Sequence, residues 1–244
     1  MQNEIVFEHV SFSYEKRKIF ENLNLSIPLD QNVALVGENG AGKSTLIKLL
    51  LNLHSPQRGT IRIGDKKTAE LTAKEQTDLF AVAYQDFYRY PLSLRENLSL
   101  CMDKTAGDSQ CSDALRRMGI ESLTGKLDCR IGKYGQNSIE LSDGQWQKIV
   151  LARTLLSPAR LLILDEPTAS LDPISESNLY DNFMRVMQSH GTLIVTHRMA
   201  LTRFADMVIV LKDGRVGGAG RHEDLLRQNS YYRTLYEKQS EWYV

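Results

Sequence analysis

An α/β fold with a mainly parallel sheet is what this 244-residue sequence predicts, on three observations. Short apolar runs alternate with helical stretches, the pattern of strand–helix–strand units. A glycine-rich loop separates one such run from the leucine-rich stretch after it. Between about residues 94 and 140 the texture changes to short helical pieces and polar loops, which reads as a helical subdomain inserted into the α/β frame. The length, about one and a half typical domains, fits one large domain or a core carrying a subdomain.

In chain order, Ile5, Val6, Phe7 and Val10, then Phe12 and Tyr14, are strand formers in an alternating stretch. A second run from Leu23 to Ile27 ends at Pro28, a residue that cannot donate to a strand ladder. These two runs predict an N-terminal antiparallel β subdomain. Val33-Ala34-Leu35-Val36 reads as a buried strand leading through the glycine loop into a helix over Ser44 to Leu53. Thr60 to Ile63 and Leu79 to Tyr84 read as further strands, and Ser112 to Met118 as a helix of the insertion. A helix from about Gly144 to Leu156, a strand at Leu161 to Leu164, a helix from about Ser175 to Gln188 and a strand at Thr192 to Val195 follow. Met207 to Leu211, with Asp213-Gly214 behind it, predicts a final hairpin turning at the Asp-Gly pair.

Lysine plus arginine number 30, as do aspartate plus glutamate, so the formal charge is zero; a chain living on nucleic-acid backbone usually carries a basic excess. Hydrophobic residues at 42% and charged residues at 25% fit a soluble globular chain and are too apolar for disorder. No stretch approaches the roughly 18 to 20 uninterrupted apolar residues of a membrane span. The start at Met1 to Glu4 shows neither a basic leader nor an apolar signal segment. Cys101, Cys111 and Cys129 lack metal or redox spacing and fit a reducing cytosol. Composition therefore predicts a soluble intracellular chain and is silent on chemistry.

Residues 37–45 read GENGAGKST, which satisfies the phosphate-loop pattern at Gly37, Gly42, Lys43 and Ser44. Backbone N–H groups can wrap a β-phosphate only where side chains stay clear, hence glycines at 37, 40 and 42, and the helix that follows adds its dipole. The predicted nucleotide contacts here are Gly37, Asn39, Gly40, Gly42, Lys43, Ser44 and Thr45. Lys43 reaches the β- and γ-phosphates, and the Ser44 hydroxyl suits Mg²⁺. The core is thus of the phosphate-loop, RecA-like kind.

Leu161 to Leu164 end in Asp165-Glu166, two carboxylates at the tip of an apolar strand. Asp165 suits magnesium held through water, and Glu166 suits polarising a water for attack on the γ-phosphate. His197, after the strand ending at Val195, could bond the γ-phosphate or that water, although spacing alone does not assign it.

With these residues in place the chain resembles the nucleotide-binding domain of ATP-binding cassette transporters. Leu141-Ser142-Asp143-Gly144-Gln145 resembles that family's signature, and Ser142 with Gln145 three residues on is also a capping-box pattern. The resemblance implies that Ser142, Gly144 and Gln145 bind ATP held by an opposite subunit, so that two domains, most simply two identical copies, clamp two nucleotides. It also implies that Tyr14 stacks on adenine and that Gln85 touches magnesium and links the site to the membrane partner. Ser170-Leu171-Asp172 would cross to the other subunit, and His197 would be the switch histidine. It covers nearly all of residues 1–244, with core and β subdomain at about 1–93 and 144–244 and the helical signature subdomain at about 94–143. The catalytic residues so implied are Glu166, His197 and Lys43, with ATP and Mg²⁺ as ligands and Ser44, Gln85 and Asp165 at the metal.

Two departures stand out. The family usually has glycine where this chain has Asp143; a carboxylate there predicts a weaker nucleotide clamp, which Asp143→Gly would tighten. Arg130 to Gln136 only loosely matches the segment preceding the signature in exporters. The opening Glu4 to Tyr14 and the tail Asp213 to Tyr236 resemble exporters, and residues 84–97 and 143–153 resemble exporters of modified peptides such as lantibiotics. Phe87, Tyr88, Arg89 and Tyr90 would dock a membrane-domain helix or else pack locally. The tail aromatics Tyr231, Tyr232, Tyr236, Trp242 and Tyr243 fit a helix packed on its own domain.

The implied function is ATP-driven export by a peripheral domain on the cytoplasmic side of the membrane. Its partners would be a second nucleotide-binding domain and a transmembrane domain, in the same native chain or a separate subunit, with no nucleic acid. The alternatives are a soluble ATPase of this family acting on nucleic acid or ribosomes, and an importer ATPase subunit.

Overall fold

The computed structural model describes residues 3–102, 104–133, 135, 137–166, 184, 187 and 190–240. Its N-terminal stretch folds into antiparallel strands, as the alternation predicts. β1 (Glu4–Tyr14) pairs with β2 (Arg17–Pro28) and with β4 (Arg58–Ile63), and β5 (Lys66–Lys67) completes a four-stranded sheet. β2 starts well before Leu23, because the chain reverses at once over Glu15 and Lys16 so that Tyr14 faces Arg17. Glu15 adopts the left-handed φ of 46° that such a tight turn requires.

The second sheet holds β3 (Asn32–Val36), β6 (Phe80–Ala83), β9 (Leu161–Asp165), β10 (Gly191–Val195), β11 (Met207–Lys212) and β12 (Arg215–Gly220). Their order across it is β12-β11-β3-β10-β9-β6, parallel throughout except for the β11–β12 hairpin. That hairpin turns at Asp213 and Gly214, with left-handed φ of 48° and 72°, as the Asp-Gly pair predicts.

α1 (Lys43–Leu50) follows the glycine loop and stops earlier than the leucine pattern suggests, with Asn52 at φ 55° ending the run. α2 (Ala73–Leu79) buries none of its residues, so no apolar periodicity marks it; its only sequence signal is the Thr72–Glu75 capping box. The insertion contains α3 (Leu94–Ser99), α4 (Asp108–Arg117) and a short parallel pairing of β7 (Arg130–Ile131) with β8 (Ser138–Ile139). α5 (Asp143–Leu156) then returns the chain to the sheet. α6 (His222–Gln228) and α7 (Ser230–Ser240) form the tail. The helix predicted from about Ser175 to Gln188 lies outside the described residues, apart from Met184 and Met187, and Trp242 and Tyr243 lie outside them too.

Strand period two divides the core. In β9, Leu161 and Ile163 join β1, β2 and α1 in one buried cluster, while Leu162 and Leu164 join α3, α4 and α5 in another. In β3, Val33 and Leu35 belong to the first of these, whereas Ala34 and Val36 face a third cluster with Val208, Val210, Leu225 and the fully buried Tyr232. Tyr231 and Tyr236 pack against that third cluster, so the described tail aromatics cover their own domain.

Candidate nucleotide site

Residues at one level of the parallel sheet bring the site together. Ala83 pairs with Leu164, Leu164 with Ile194, and Val195 with both Asp165 and Leu35. The strands therefore release Tyr84-Gln85, Asp165-Glu166, Thr196-His197 and the loop from Gly37 at the same carboxyl edge, where α/β folds bind ligands.

The loop is shaped by what its glycines lack. A Cβ on Gly37 would lie 2.3 Å from the Leu211 carbonyl oxygen. Gly42 has φ 109°, and a Cβ there would meet the Phe20 ring at 2.8 Å. Thr72, Ser93 and Ser142 cap α2, α3 and α5 through their side chains, whereas the cap position of α1 is Gly42, and no side-chain cap forms there among the described residues. The first-turn N–H groups of α1 thus remain available to an anion.

These groups border a cleft of about 410 Å³. Tyr14, Asn39, Gly40, Gly42, Lys43, Ser44, Thr45, Gln85 and Glu166 line it, joined by Arg17 and Ile19, which the motifs did not mark. Arg17 faces Tyr14 across the β1–β2 hairpin, and its guanidinium stands 3.2 Å from where a Gly40 Cβ would be. That pairing is the signal that could have found it. Tyr14 is itself held edge-on to Phe12 and His54, at 4.9 and 5.3 Å between centroids. Gly37, Asp165 and His197 lie outside the lining; Gly37 acts from beneath by admitting the Leu211 carbonyl. A larger cleft of about 540 Å³, on the antiparallel sheet around His9, Asn22 and Arg58, contains none of the predicted site residues that are described.

The buried Lys43 ammonium donates to the Gly37 and Glu38 carbonyls at 2.8 and 3.2 Å. Burial lowers its pKa, and the Glu166 and Asp165 carboxylates oppose that shift. Asp165 shifts the other way: burial, then the Glu166 charge, pushes its carboxyl up against the pull of Lys43 and Lys48. Its Oδ1 is buried without a hydrogen-bond partner among the described residues. An orphaned carboxylate oxygen is costly unless a cation meets it. With the Ser44 hydroxyl and the Gln85 amide on the adjoining cleft wall, the donors are all hard oxygens, so this set fits a magnesium ion.

Glu166 has a left-handed φ of 50°, and its N–H donates to the Val195 carbonyl at 2.8 Å. Its carboxylate is only 14% exposed and contacts Nδ1 of His197. The His197 loop is tied down from afar. Gln239 on α7 accepts from the Met199 N–H at 2.7 Å, and its amide donates to the His197 carbonyl. Near it, the Tyr232 hydroxyl donates to Thr202 at 2.7 Å.

Ser142 and Gln145 form a reciprocal cap at the start of α5: Ser142 Oγ accepts from Gln145 N at 3.2 Å, and Gln145 Oε1 accepts from Ser142 N at 3.0 Å. Neither they nor Gly144 line the cleft just described. Asp143 forms an ion pair with Arg89 at 3.0 Å, which sequence reasoning did not anticipate. Of the aromatic segment, Phe87 packs on the helical core, while Tyr88 is 68% exposed and stands 4.9 Å from Tyr90. Ser170, Leu171 and Asp172 lie outside the described residues.

Residues 20–169 match the family model described as ABC transporter. The chain is 35% identical over 235 residues to the nisin transport ATP-binding protein NisT of Lactococcus lactis subsp. lactis, covering 93% of this chain and 39% of that protein. It is 35% identical over 241 residues to the ATP-dependent lipid A-core flippase of Alkalilimnicola ehrlichii, covering 96% and 40%. Among solved structures, a bacterial Atm1-family ABC exporter with ATP bound matches at a TM-score of 0.85 and 27% identity, covering 98% of this chain and 42% of that one. The chain spans about two fifths of the length of these relatives.

Proposed function

The chain belongs to the ABC transporter family, and from that membership we propose that it is the ATP-binding and hydrolysing motor domain of an exporter, working through ATP-dependent pairing of two copies. The observation that carries the reading is the convergence at one sheet edge of the Lys43 loop, Gln85, the Asp165-Glu166 pair and His197.

In this reading Tyr14 offers its ring to adenine, and the uncapped start of α1 with Ser44 and Thr45 receives the phosphates. The Lys43 ammonium stabilises charge that develops on the γ-phosphate. Glu166, partnered by His197, polarises the attacking water, and His197 orients the γ-phosphate. Ser44, Gln85 and, through water, Asp165 would hold magnesium, which supplies charge neutralisation on the phosphates. Ser142, Gly144 and Gln145 of one copy would receive the triphosphate bound by the other, with Asp172 on the crossing loop.

The membrane-spanning partner, in the same native chain or a separate subunit, would dock near Gln85 to Tyr90 on the cytoplasmic side of the membrane. No helix among the described residues is long and apolar enough to cross a membrane. Likeness to the nisin transport protein supports a modified peptide as cargo, while equal identity to a lipid A-core flippase supports leaving cargo choice to the membrane part. An ATPase acting on nucleic acid, or an importer subunit, has less support, given a formal charge of zero and relatives named for transport and flipping. Magnesium-dependent phosphate release from ATP, abolished by Lys43→Ala, is the expected result. Near-normal phosphate release by that variant would overturn the assignment.

A further inference from the structure

Asp143 occupies the first position of α5, directly after the capping Ser142, and its side chain is 72% exposed. An acid there suits the helix dipole, yet it adds negative charge to an N-terminus proposed to receive a triphosphate. The structure supplies an offsetting charge from another segment. Arg89 reaches Asp143 Oδ1 at 3.0 Å from a stretch that begins four residues earlier at Gln85, on the wall of the nucleotide cleft. Its guanidinium lies 5.9 Å from the Phe87 ring, and Phe87 is packed on the helical core. Arg89 also lines a separate cleft of about 270 Å³ together with Leu141 and Trp146 of the signature segment. The neighbouring charges Lys133 and Glu140 are taken up with each other at 3.7 Å.

We infer that Arg89 is a positioning residue for the start of α5: by pairing with Asp143 it neutralises the carboxylate that stands in place of the family's usual glycine, and so lets Ser142 to Gln145 accept the nucleotide of a second copy. The inference rests on the two-copy reading above. The pair is exposed and adds little to folding stability. Its consequence lies in association, where an uncompensated carboxylate would oppose several phosphate charges at once. The pair also joins the residues that follow Gln85 to the signature helix, two segments with no strand in common.

A double-mutant cycle tests it. ATP-driven dimerisation of the full 244-residue chain is measured for the parent, Arg89→Ala, Asp143→Gly and the double variant, all carrying Glu166→Gln to trap ATP. Binding of ATP to the monomer and thermal midpoints are followed alongside. Arg89→Ala is expected to weaken dimerisation about five- to tenfold when Asp143 is present and less than about twofold in the Asp143→Gly background. Asp143→Gly should correspondingly tighten dimerisation clearly only where Arg89 is absent. Arg89→Lys should recover part of the loss, and monomer ATP affinity should not move. An equal loss in both backgrounds, or none in either, overturns the inference while the two-copy reading stands. A parent that binds ATP but stays monomeric overturns that reading and the inference with it.

Discussion

Arg153 donates from Nε to the Asn97 carbonyl at 2.8 Å and from its terminal nitrogen to the Asn97 side chain, at a point where both residues are buried. The Asn97 side-chain amide shares its two hydrogens among the carbonyls of Tyr90, Leu92 and Ser93, each at 3.0–3.2 Å. The guanidinium lies 5.5 Å from the Tyr90 ring and 5.9 Å from Trp146. Its neighbours here are carbonyl oxygens and aromatic faces, so α5, α3 and the segment after Gln85 are fastened by a buried cation.

Removing one side of that contact should be expensive. Arg153→Met is expected to cost about 2–3 kcal/mol, the scale of charge-assisted hydrogen bonds offset by retained packing. Asn97→Ala should cost at least as much, because the buried guanidinium keeps only the backbone carbonyl at position 97 and the carbonyls of Tyr90, Leu92 and Ser93 lose their shared donor. Urea unfolding measures both, and the double variant should fall well short of their sum.

Glu166→Gln is expected to retain ATP binding and lose about 10²- to 10⁴-fold in steady-state hydrolysis, the range of a general base. An ATP-bound dimer should accumulate on size exclusion. Near-normal phosphate release would remove Glu166 from the base role.

Gly37→Ala should lower nucleotide affinity more than tenfold, because a Cβ at 2.3 Å from the Leu211 carbonyl has to displace backbone on which the loop rests. Gly125→Ala is the matched control, since a Cβ there meets nothing within 4 Å. Titration with a fluorescent ATP analogue separates the two.

Acidification should loosen the tail through His222. Burial, with Arg203 adding to it and Glu223 opposing, holds this imidazole below its ordinary value. Its Nδ1 lies 2.7 Å from the Tyr232 hydroxyl, to which it donates because that hydroxyl gives its proton to Thr202, and the ring packs on Tyr236. The unfolded chain therefore binds the proton more readily than the folded one. Stability is at its full value above about pH 6.5 and is lost as the pH falls through the folded pKa. Urea midpoints between pH 7 and 5 should drop less steeply in His222→Asn than in the wild type.

Much of the site was legible because its chemistry is local in sequence. GENGAGKST, the carboxylates after Leu164 and the Ser142–Gln145 cap each announce a strand end or helix start within a few residues. What escaped depends on distance along the chain. Arg17 belongs to the site only once the β1–β2 hairpin faces it toward Tyr14, and Arg89 meets Asp143 across the insertion. Gln239 clasps His197 from 42 residues downstream. α2 escaped for a different reason: with no buried face, it carries no periodicity to read.

The position of β3 in its sheet also sets a birth order. The strand that delivers the phosphate loop lies between β10 and β11, with Thr192 bonded to Asn32 at a sequence separation of 160. On a ribosome the antiparallel N-terminal strands can close as soon as they emerge. The loop at Gly37 to Ser44 then waits on an unflanked strand until Gly191 to Lys212 arrive. Such long-range parallel pairing is slow and leaves apolar edges open. ATP should therefore be unable to protect the growing chain until β11 has been made, and fragments ending before Lys212 should behave as clients of chaperones and not as nucleotide binders.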